Sequence, residues 1–166
     1  MKKIEEVIND VLKGDAQKNA LDFVAHLRAN DVPLEEADNY WEVKYKGECL
    51  CYLFINGSDE EPGPWTIWSD QTPGSWASWD DYSGKSADET VDKHIKEIAW
   101  AHANVCGNCG GSCSPGKSKT ILGKTFDNIC NSTMAFTNPD AKALTCAKKM
   151  IDVRISDILG QRSVIL

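Results

Sequence analysis

The chain has 166 residues, 42% of them hydrophobic and 26% charged, which is typical of a globular protein and excludes disorder over most of its length. Its formal net charge is −7, from 18 basic and 25 acidic residues. This balance argues against nucleic-acid binding, because contacts to phosphate need clustered Lys and Arg. The length fits a single domain, residues 1–166, that buries its own core.

The sequence also argues against a membrane partner. No apolar run is long enough to cross a bilayer. The first six residues, MKKIEE, lack the unbroken apolar core of a signal peptide. We therefore expect a cytoplasmic protein, in a compartment where thiols stay reduced.

The N-terminal segment, residues 1–33, predicts a helical hairpin. Apolar residues recur at helical spacing over residues 4–12 and line one face. Gly14 predicts the end of this helix, because glycine enters the left-handed cap without strain. Asp15 can then cap a second helix.

Residues 41–69 predict a sheet. Residues 41–46 alternate apolar and charged side chains, as half-buried strands do. Residues 49–55 form a continuous apolar run, typical of a central strand, and residues 65–68 can form a third short strand. Residues 70–87 are rich in Ser, Asp, Gly and Pro, and they predict a loop.

Two helix starts are predicted in the second half of the chain. Ser86 and Glu89 form a capping box, which predicts a helix after the loop. Asn138 predicts the cap of a C-terminal helix over residues 138–160, with Pro139 in its first turn.

The elements together predict an α+β fold. Residues 120–136 are weakly patterned and predict one or two further strands. An antiparallel sheet from residues 41–69 and 120–136 is expected to pack against the N-terminal helical hairpin and the long C-terminal helix.

The cysteines carry the clearest chemical pattern. Seven are present, at positions 49, 51, 106, 109, 113, 130 and 146. Cys106, Cys109 and Cys113 fall within eight residues of a polar, glycine-rich segment. Thiolates with two residues between them can bind one ion from a tight turn, and the glycine after Cys109 leaves room for backbone N–H groups to point at the sulfurs. The region 102–130 therefore predicts a metal site.

Two residues compete for the fourth ligand position. Cys130 can supply it if the segment after the loop folds back. His102 can supply it if the preceding helix runs on to Cys106, because His102 then lies one turn earlier on the same face. Four thiolates, or three thiolates and one imidazole, in tetrahedral geometry suit zinc. Zinc in a structural role is therefore the expected cofactor, ahead of an iron–sulfur cluster, whose common cysteine spacing differs.

The same loop permits thiol chemistry. Cys106 or Cys109 could act as a reactive thiolate beside His102 in an enzyme or redox protein. Cys49 and Cys51 lie in the apolar run and are interpreted as core residues. We interpret Cys146 as a bystander on the flank of the last helix.

Residues 111–118 satisfy the GxxxxGK[ST] expression of phosphate-binding loops. A true phosphate loop follows a buried strand and opens a helix, whereas Gly123 interrupts the segment that follows here. Too few residues remain for the parallel strands and crossovers of such a fold. We therefore interpret these glycines as serving the cysteines.

Aromatic residues cluster within 18 positions, at Trp65, Trp68, Trp76, Trp79 and Tyr82. Aromatic faces beside carboxylates can bind a cation, and they can also stack on a sugar ring or a flat heterocycle. The alternative is that the rings pack on the sheet as a satellite core.

Residues 123–134, with Phe136 and residues 138–140, resemble a family of uncharacterised bacterial proteins. Those proteins are similar in the CGNCGG loop and the PGPWTIW stretch of this chain. The closing strand, the Asn-Pro-Asp cap and the long helix are also similar to YdhG-like α+β domains. The resemblance implies a cytosolic α+β protein and brings no activity with it.

The sequence thus predicts a non-enzymatic binding module with a structural zinc in its cysteine loop. Residues 65–82 are the expected surface for an unidentified small molecule or protein. The alternative is a thiol-based enzyme or redox protein.

Overall fold

The computed structural model describes residues 2–57, 62–72, 76, 93–111 and 113–163. The helices are α1 (Ile4–Val11), α2 (Gly14–Ala29), α3 (Lys93–Ala101) and α4 (Ala141–Ser163). The strands are β1 (Leu34–Glu36), β2 (Trp41–Tyr45), β3 (Glu48–Gly57), β4 (Pro62–Ser69), β5 (Ala103–Val105), β6 (Lys117–Ile121) and β7 (Lys124–Thr137).

The seven described strands form one antiparallel sheet in the order β1-β2-β3-β4-β7-β5, and β6 also pairs with β7. The helical pair lies at the N-terminus, and the long helix α4 packs on the sheet. The predicted α+β fold is therefore confirmed. Strand β1 was not predicted, and β6 begins before residues 120–136, which were predicted to contain one or two strands.

The chain divides into two compact units. The first comprises Met1–Ile67 and Phe136–Ile151, and the second comprises Trp68–Ala135 and Asp152–Leu166. No helix in the described ranges is long and apolar enough to cross a membrane.

An apolar core holds the first unit together. Helix α1 contacts both α2 and β3. Gly14 has the predicted left-handed conformation, with φ +59°, but it is the first residue of α2. The cap predicted at Asp15 was wrong, because Asp15 lies inside α2 and Lys13 precedes the helix. The rings of Phe23 on α2 and Trp65 on β4 are both buried, with centroids 6.3 Å apart. This packing joins the helical pair to the sheet within the unit.

Strands β2 and β3 form a hairpin in the first unit. Lys46 and Gly47 have φ 51° and 87°, which suits a two-residue turn with both residues left-handed. Trp41 pairs with Leu53 and Val43 pairs with Cys51, so four buried side chains share one face. The turn joins the two segments that were predicted as strands, residues 41–46 and 49–55.

The start of α4 differs from the prediction in one detail. Helix α4 begins at Ala141, and the carboxylate Oδ1 of Asp140 accepts a hydrogen bond from the backbone N–H of Ala143 at 2.8 Å. Asp140 is therefore the cap, and the assignment of that role to Asn138 was wrong. Asn138 instead accepts the backbone N–H of Trp65 at its Oδ1, 3.1 Å away.

The second unit contains the region that carries most of the cysteines. Helix α3 ends at Ala101, and the short strand β5 follows at once. Strand β7 pairs with β5 and with β6, so both legs of the cysteine loop lie against the same strand. The capping box predicted at Ser86 and Glu89 lies outside the described residues.

Candidate metal centre

The cysteine loop spans residues 106–116 and joins β5 to β6. Its first cysteine is held by strand β7, because the backbone N–H of Cys106 donates to the carbonyl oxygen of Asn128 at 2.7 Å. Gly116 closes the loop from the other side. A Cβ at Gly116 would lie 2.7 Å from the Cβ of Cys106, so only glycine fits there without movement.

The tip of the loop turns tightly. Asn108 and Gly110 have φ 55° and 126°, both in the left-handed region that small turn residues favour. The backbone N–H of Cys113 donates to the carbonyl oxygen of Gly110 at 3.2 Å. These turns bring the chain back on itself between Cys109 and Cys113.

Three cysteines border one small cavity. Cys106, Cys109 and Cys113 line a cavity of about 220 Å³ together with neighbouring loop residues. Cys106 is buried, whereas Cys109 and Cys113 are exposed. Pockets for drug-sized ligands typically start at about 300 Å³, so this cavity suits an ion better than an organic substrate.

Cys130 lies near the same group of thiols. It is half-buried in β7, next to Ile129, which pairs with Val105 of β5 and Lys117 of β6. Loss of hydration, followed by the neighbouring thiols of Cys109, Cys130 and Cys106, raises the pKa of the Cys113 thiol. The four thiols are therefore close enough to influence one another.

The arrangement is not closed around an ion. Within the described residues, no three His, Cys, Asp or Glu side chains are grouped so that they could hold a metal ion. The seven cysteines all lie in the described ranges, and none of them forms a disulfide there. A metal would therefore have to draw the loop thiols together when it binds.

His102 occupies the opposite end of β5 from the loop. The helix ends before it, so the continuous helix from His102 to Cys106 that would make it a ligand is not formed. The backbone N–H of Ala135 donates to the His102 carbonyl oxygen, while Cys106 lies beside Asn128. Three strand residues separate His102 from Cys106, which is about 13 Å at the usual rise of a strand. The imidazole Nδ1 lies 2.8 Å from the carbonyl oxygen of Ile98.

Lys119 is bound to the strand that carries Cys130. Its Nζ donates to the carbonyl oxygens of Cys130 and Asn131 at 2.8 and 3.2 Å, and to Oγ1 of Thr133 at 3.0 Å. Burial lowers the pKa of the Lys119 ammonium, while the nearby Cys130 thiol acts in the opposite direction. No sequence signal distinguishes Lys119 from the other lysines of the segment.

A buried ion pair also lies in the second unit. Nη2 of Arg154 lies 3.9 Å from Oδ2 of Asp70, and both side chains are buried. Nη1 of Arg154 donates to Oδ2 of Asp157 at 2.7 Å. Nε of Arg154 has no hydrogen-bond partner among the described residues. The only sequence signal for this cluster is an arginine next to Ile155 in the apolar stripe of the last helix.

The phosphate-loop match does not lead into a helix. Strand β6 begins at Lys117, so the Gly-Lys-Ser triplet enters an extended segment. Helix N-terminal amides, which bind the phosphate in a true phosphate loop, do not follow this loop. A side chain at Gly116 would collide with Cys106, which supports the interpretation that this glycine serves the cysteines, whereas a side chain at Gly111 would meet open space.

The remaining cysteines lie in the first unit. Cys51 is fully buried, as predicted, and Cys49 is half-buried in the same strand. Cys146 is fully buried and burial raises its pKa to about 12. Its predicted position on the flank of the last helix was therefore wrong, because the buried side of α4 includes Cys146. Its interpretation as a bystander stays a prediction.

The aromatic residues of the predicted ligand surface have different environments. Trp65 is buried against Phe23, and Trp76 is buried in the second unit, as the packing alternative requires. Trp68 is 38% exposed. Trp79 and Tyr82 lie outside the described residues, so the ligand-binding role of this group stays a prediction.

No protein-family model, no curated protein and no solved structure matches the chain. The resemblance of residues 123–134, Phe136 and residues 138–140 to a bacterial family therefore stays a prediction from the sequence.

Proposed function

We propose that the chain binds one structural zinc ion through the thiolates of Cys106, Cys109, Cys113 and Cys130, and that it works as a binding module. The observation that carries the proposal is the cavity bordered by three of these cysteines, beside the strand that holds the fourth. Its partner would be a small molecule or a protein.

The donor set favours zinc in a closed site. Four thiolates satisfy the tetrahedral preference of zinc and leave no open position for a substrate or an activated water. That geometry supports a structural role over a catalytic one. The glycine-rich tip, with Gly110 in the left-handed region, gives the loop the conformational freedom to close around an ion.

Cys130 supports the proposal better than His102 as the fourth ligand. Cys130 lies in β7 next to the segment that binds the loop backbone at Cys106. His102 lies at the other end of β5, where its backbone pairs with Ala135. A zinc ion bound by the four cysteines of residues 106–130 would link the loop to β7, and His102 would not be a ligand.

A thiol-based enzyme or redox protein is the second candidate. The exposure of Cys109 and Cys113 favours it, because reactive cysteines are usually accessible to solvent. The raised pKa of Cys113 works against it, since the thiolate is the nucleophile and is less populated near neutral pH.

The deciding experiment is metal analysis of untagged protein purified without chelators, with native thiols counted in parallel. We expect about one zinc per chain and loop thiols that resist alkylation until a chelator is added. Hydrogen exchange after chelation should increase over residues 103–134 and stay unchanged over residues 4–27, which belong to the first unit.

Three variants identify the ligands. Cys130→Ser should lose the metal, His102→Ala should keep it, and Cys49→Ser is the matched control in a cysteine of the other unit. Protein without metal but with one rapidly alkylated loop thiol would favour the redox candidate. Loss of zinc in His102→Ala but not in Cys130→Ser would move the fourth ligand to the imidazole.

A further inference from the structure

The ammonium group of Lys119 donates all of its hydrogen bonds to one strand, β7. A lysine ammonium has three protons to donate, and its three acceptors are the carbonyl oxygens of Cys130 and Asn131 and Oγ1 of Thr133. The three acceptors lie within 3.2 Å of Nζ and belong to four consecutive residues of β7. Lys119 therefore fixes the backbone of β7 at Cys130.

Lys119 also lies on the strand into which the cysteine loop leads. Strand β6 starts at Lys117, four residues after Cys113, and pairs with β7 through Lys117 and Ile129. The side chain of Lys119 therefore joins the exit of the loop to the strand of the fourth proposed ligand.

The charge of Lys119 suits a site of this composition. A zinc ion with four thiolates carries a net charge of −2, in a chain whose own net charge is −7. A half-buried positive charge beside Cys130 offsets part of that excess, and its effect is stronger than in bulk water because the surroundings are less polar.

We propose that Lys119 is a positioning residue for a thiolate-bound divalent metal, which it serves by holding Cys130 in place and by offsetting the negative charge of the ligands. The inference rests on the proposed zinc site. Partners that orient metal ligands typically change metal affinity about 10- to 100-fold when they are removed.

The test is a zinc titration of the full chain against a chromophoric chelator under reducing conditions. We expect Lys119→Met to bind zinc about 10- to 100-fold more weakly than the wild type. Lys117→Met is the matched control, because Lys117 is an exposed lysine of the same strand, and its affinity should stay within about twofold of the wild type. Lys119→Arg, which keeps the charge and several donors, should recover most of the loss.

Cobalt substitution separates positioning from general stability. The visible absorption bands of a Co²⁺–thiolate site should shift in Lys119→Met and not in Lys117→Met. A Lys119→Met protein that is less stable in chelator, but has wild-type zinc affinity and wild-type cobalt bands, would overturn the inference.

A second variant covers the case in which Lys119→Met does not fold. Thr133→Val removes one of the three acceptors and keeps the charge and the shape of the buried side chain. It should weaken zinc binding several-fold, and unchanged affinity would overturn the inference. Absence of zinc binding by the wild type would instead disprove the proposed function itself.

Discussion

The two units differ in what fills their interiors. In the first unit, the fully buried large side chains are apolar and include Ile8, Phe23, Leu53, Trp65 and Phe136. In the second unit, buried side chains include Ser69, Asp70, Ser132, Thr133 and Arg154. Of the buried polar residues in the described part of the chain, only Thr66 falls in the first unit.

This difference indicates two sources of stability. Apolar burial stabilises the first unit in proportion to the area removed from water, without directional requirements. The second unit combines buried apolar side chains, such as Ile121 and Leu122, with buried hydrogen bonds and ion pairs, which are costly where a buried group lacks a partner. A metal site in the second unit would add cross-links where apolar contacts are fewer.

The largest effect is expected from a deletion in the apolar core. Leu27→Ala removes a fully buried side chain of α2 and should lower the free energy of unfolding by about 3–5 kcal/mol. Leu159→Ala is the matched control, because Leu159 is 40% exposed in α4. This variant should lower the free energy of unfolding by less than about 1 kcal/mol. Urea denaturation of the zinc-loaded proteins measures both. Equal losses would contradict the view that the first unit depends on its apolar core.

A slightly smaller effect is expected at the buried ion pair. Arg154→Met removes the guanidinium group beside the buried carboxylate of Asp70 and should lower the free energy of unfolding by about 3 kcal/mol. Arg28→Met makes the same substitution at an exposed pair, in which Nε of Arg28 lies 3.2 Å from Glu5, and should cost less than about 1 kcal/mol.

A double-mutant cycle measures the coupling energy between Asp70 and Arg154. Asp70→Asn combined with Arg154→Met should cost less than the sum of the two single changes by at least about 0.5 kcal/mol, because the residues share one interaction. Strict additivity would show that the buried pair contributes nothing as a pair.

The smallest effect on the structure is expected from thiol alkylation. The rate of this reaction should also differ most clearly between cysteines of the two units. Burial raises the pKa of Cys146 from 9.0 to about 12, so the thiolate is about a thousandfold less populated near neutral pH. In chelator, Cys109 and Cys113 should be alkylated in minutes, whereas Cys146 should react only in denaturant. Mass spectrometry of alkylated peptides checks this, and rapid native labelling of Cys146 would contradict its buried position.

Long periodic segments made much of the fold predictable. The apolar stripes of residues 4–12 and 144–158 and the continuous run of 49–55 correspond to α1, α4 and β3. Such stripes identify elements because burial of one face requires them. Strands β1 and β5 have three residues each, which is too short for periodicity to show.

Tertiary contacts decided the features that the sequence did not reveal. Asn138 has the right chemistry for a helix cap, but its side chain binds the backbone of Trp65 instead, and Asp140 takes the cap. The spacing of Cys106, Cys109 and Cys113 indicated that these three thiols belong together, whereas the choice between Cys130 and His102 could not be made from the sequence. Lys119 and Arg154 were not predictable, because their roles depend on partners in distant segments.

Gly116 limits how the loop can evolve. At Gly107 a side chain would meet open space, so the chain can drift there without cost to packing. At Gly116 any side chain would collide with Cys106 and Asn128. Gly116 therefore matches the phosphate-loop expression for a reason unrelated to nucleotides. Selection for close packing is sufficient to preserve such a match.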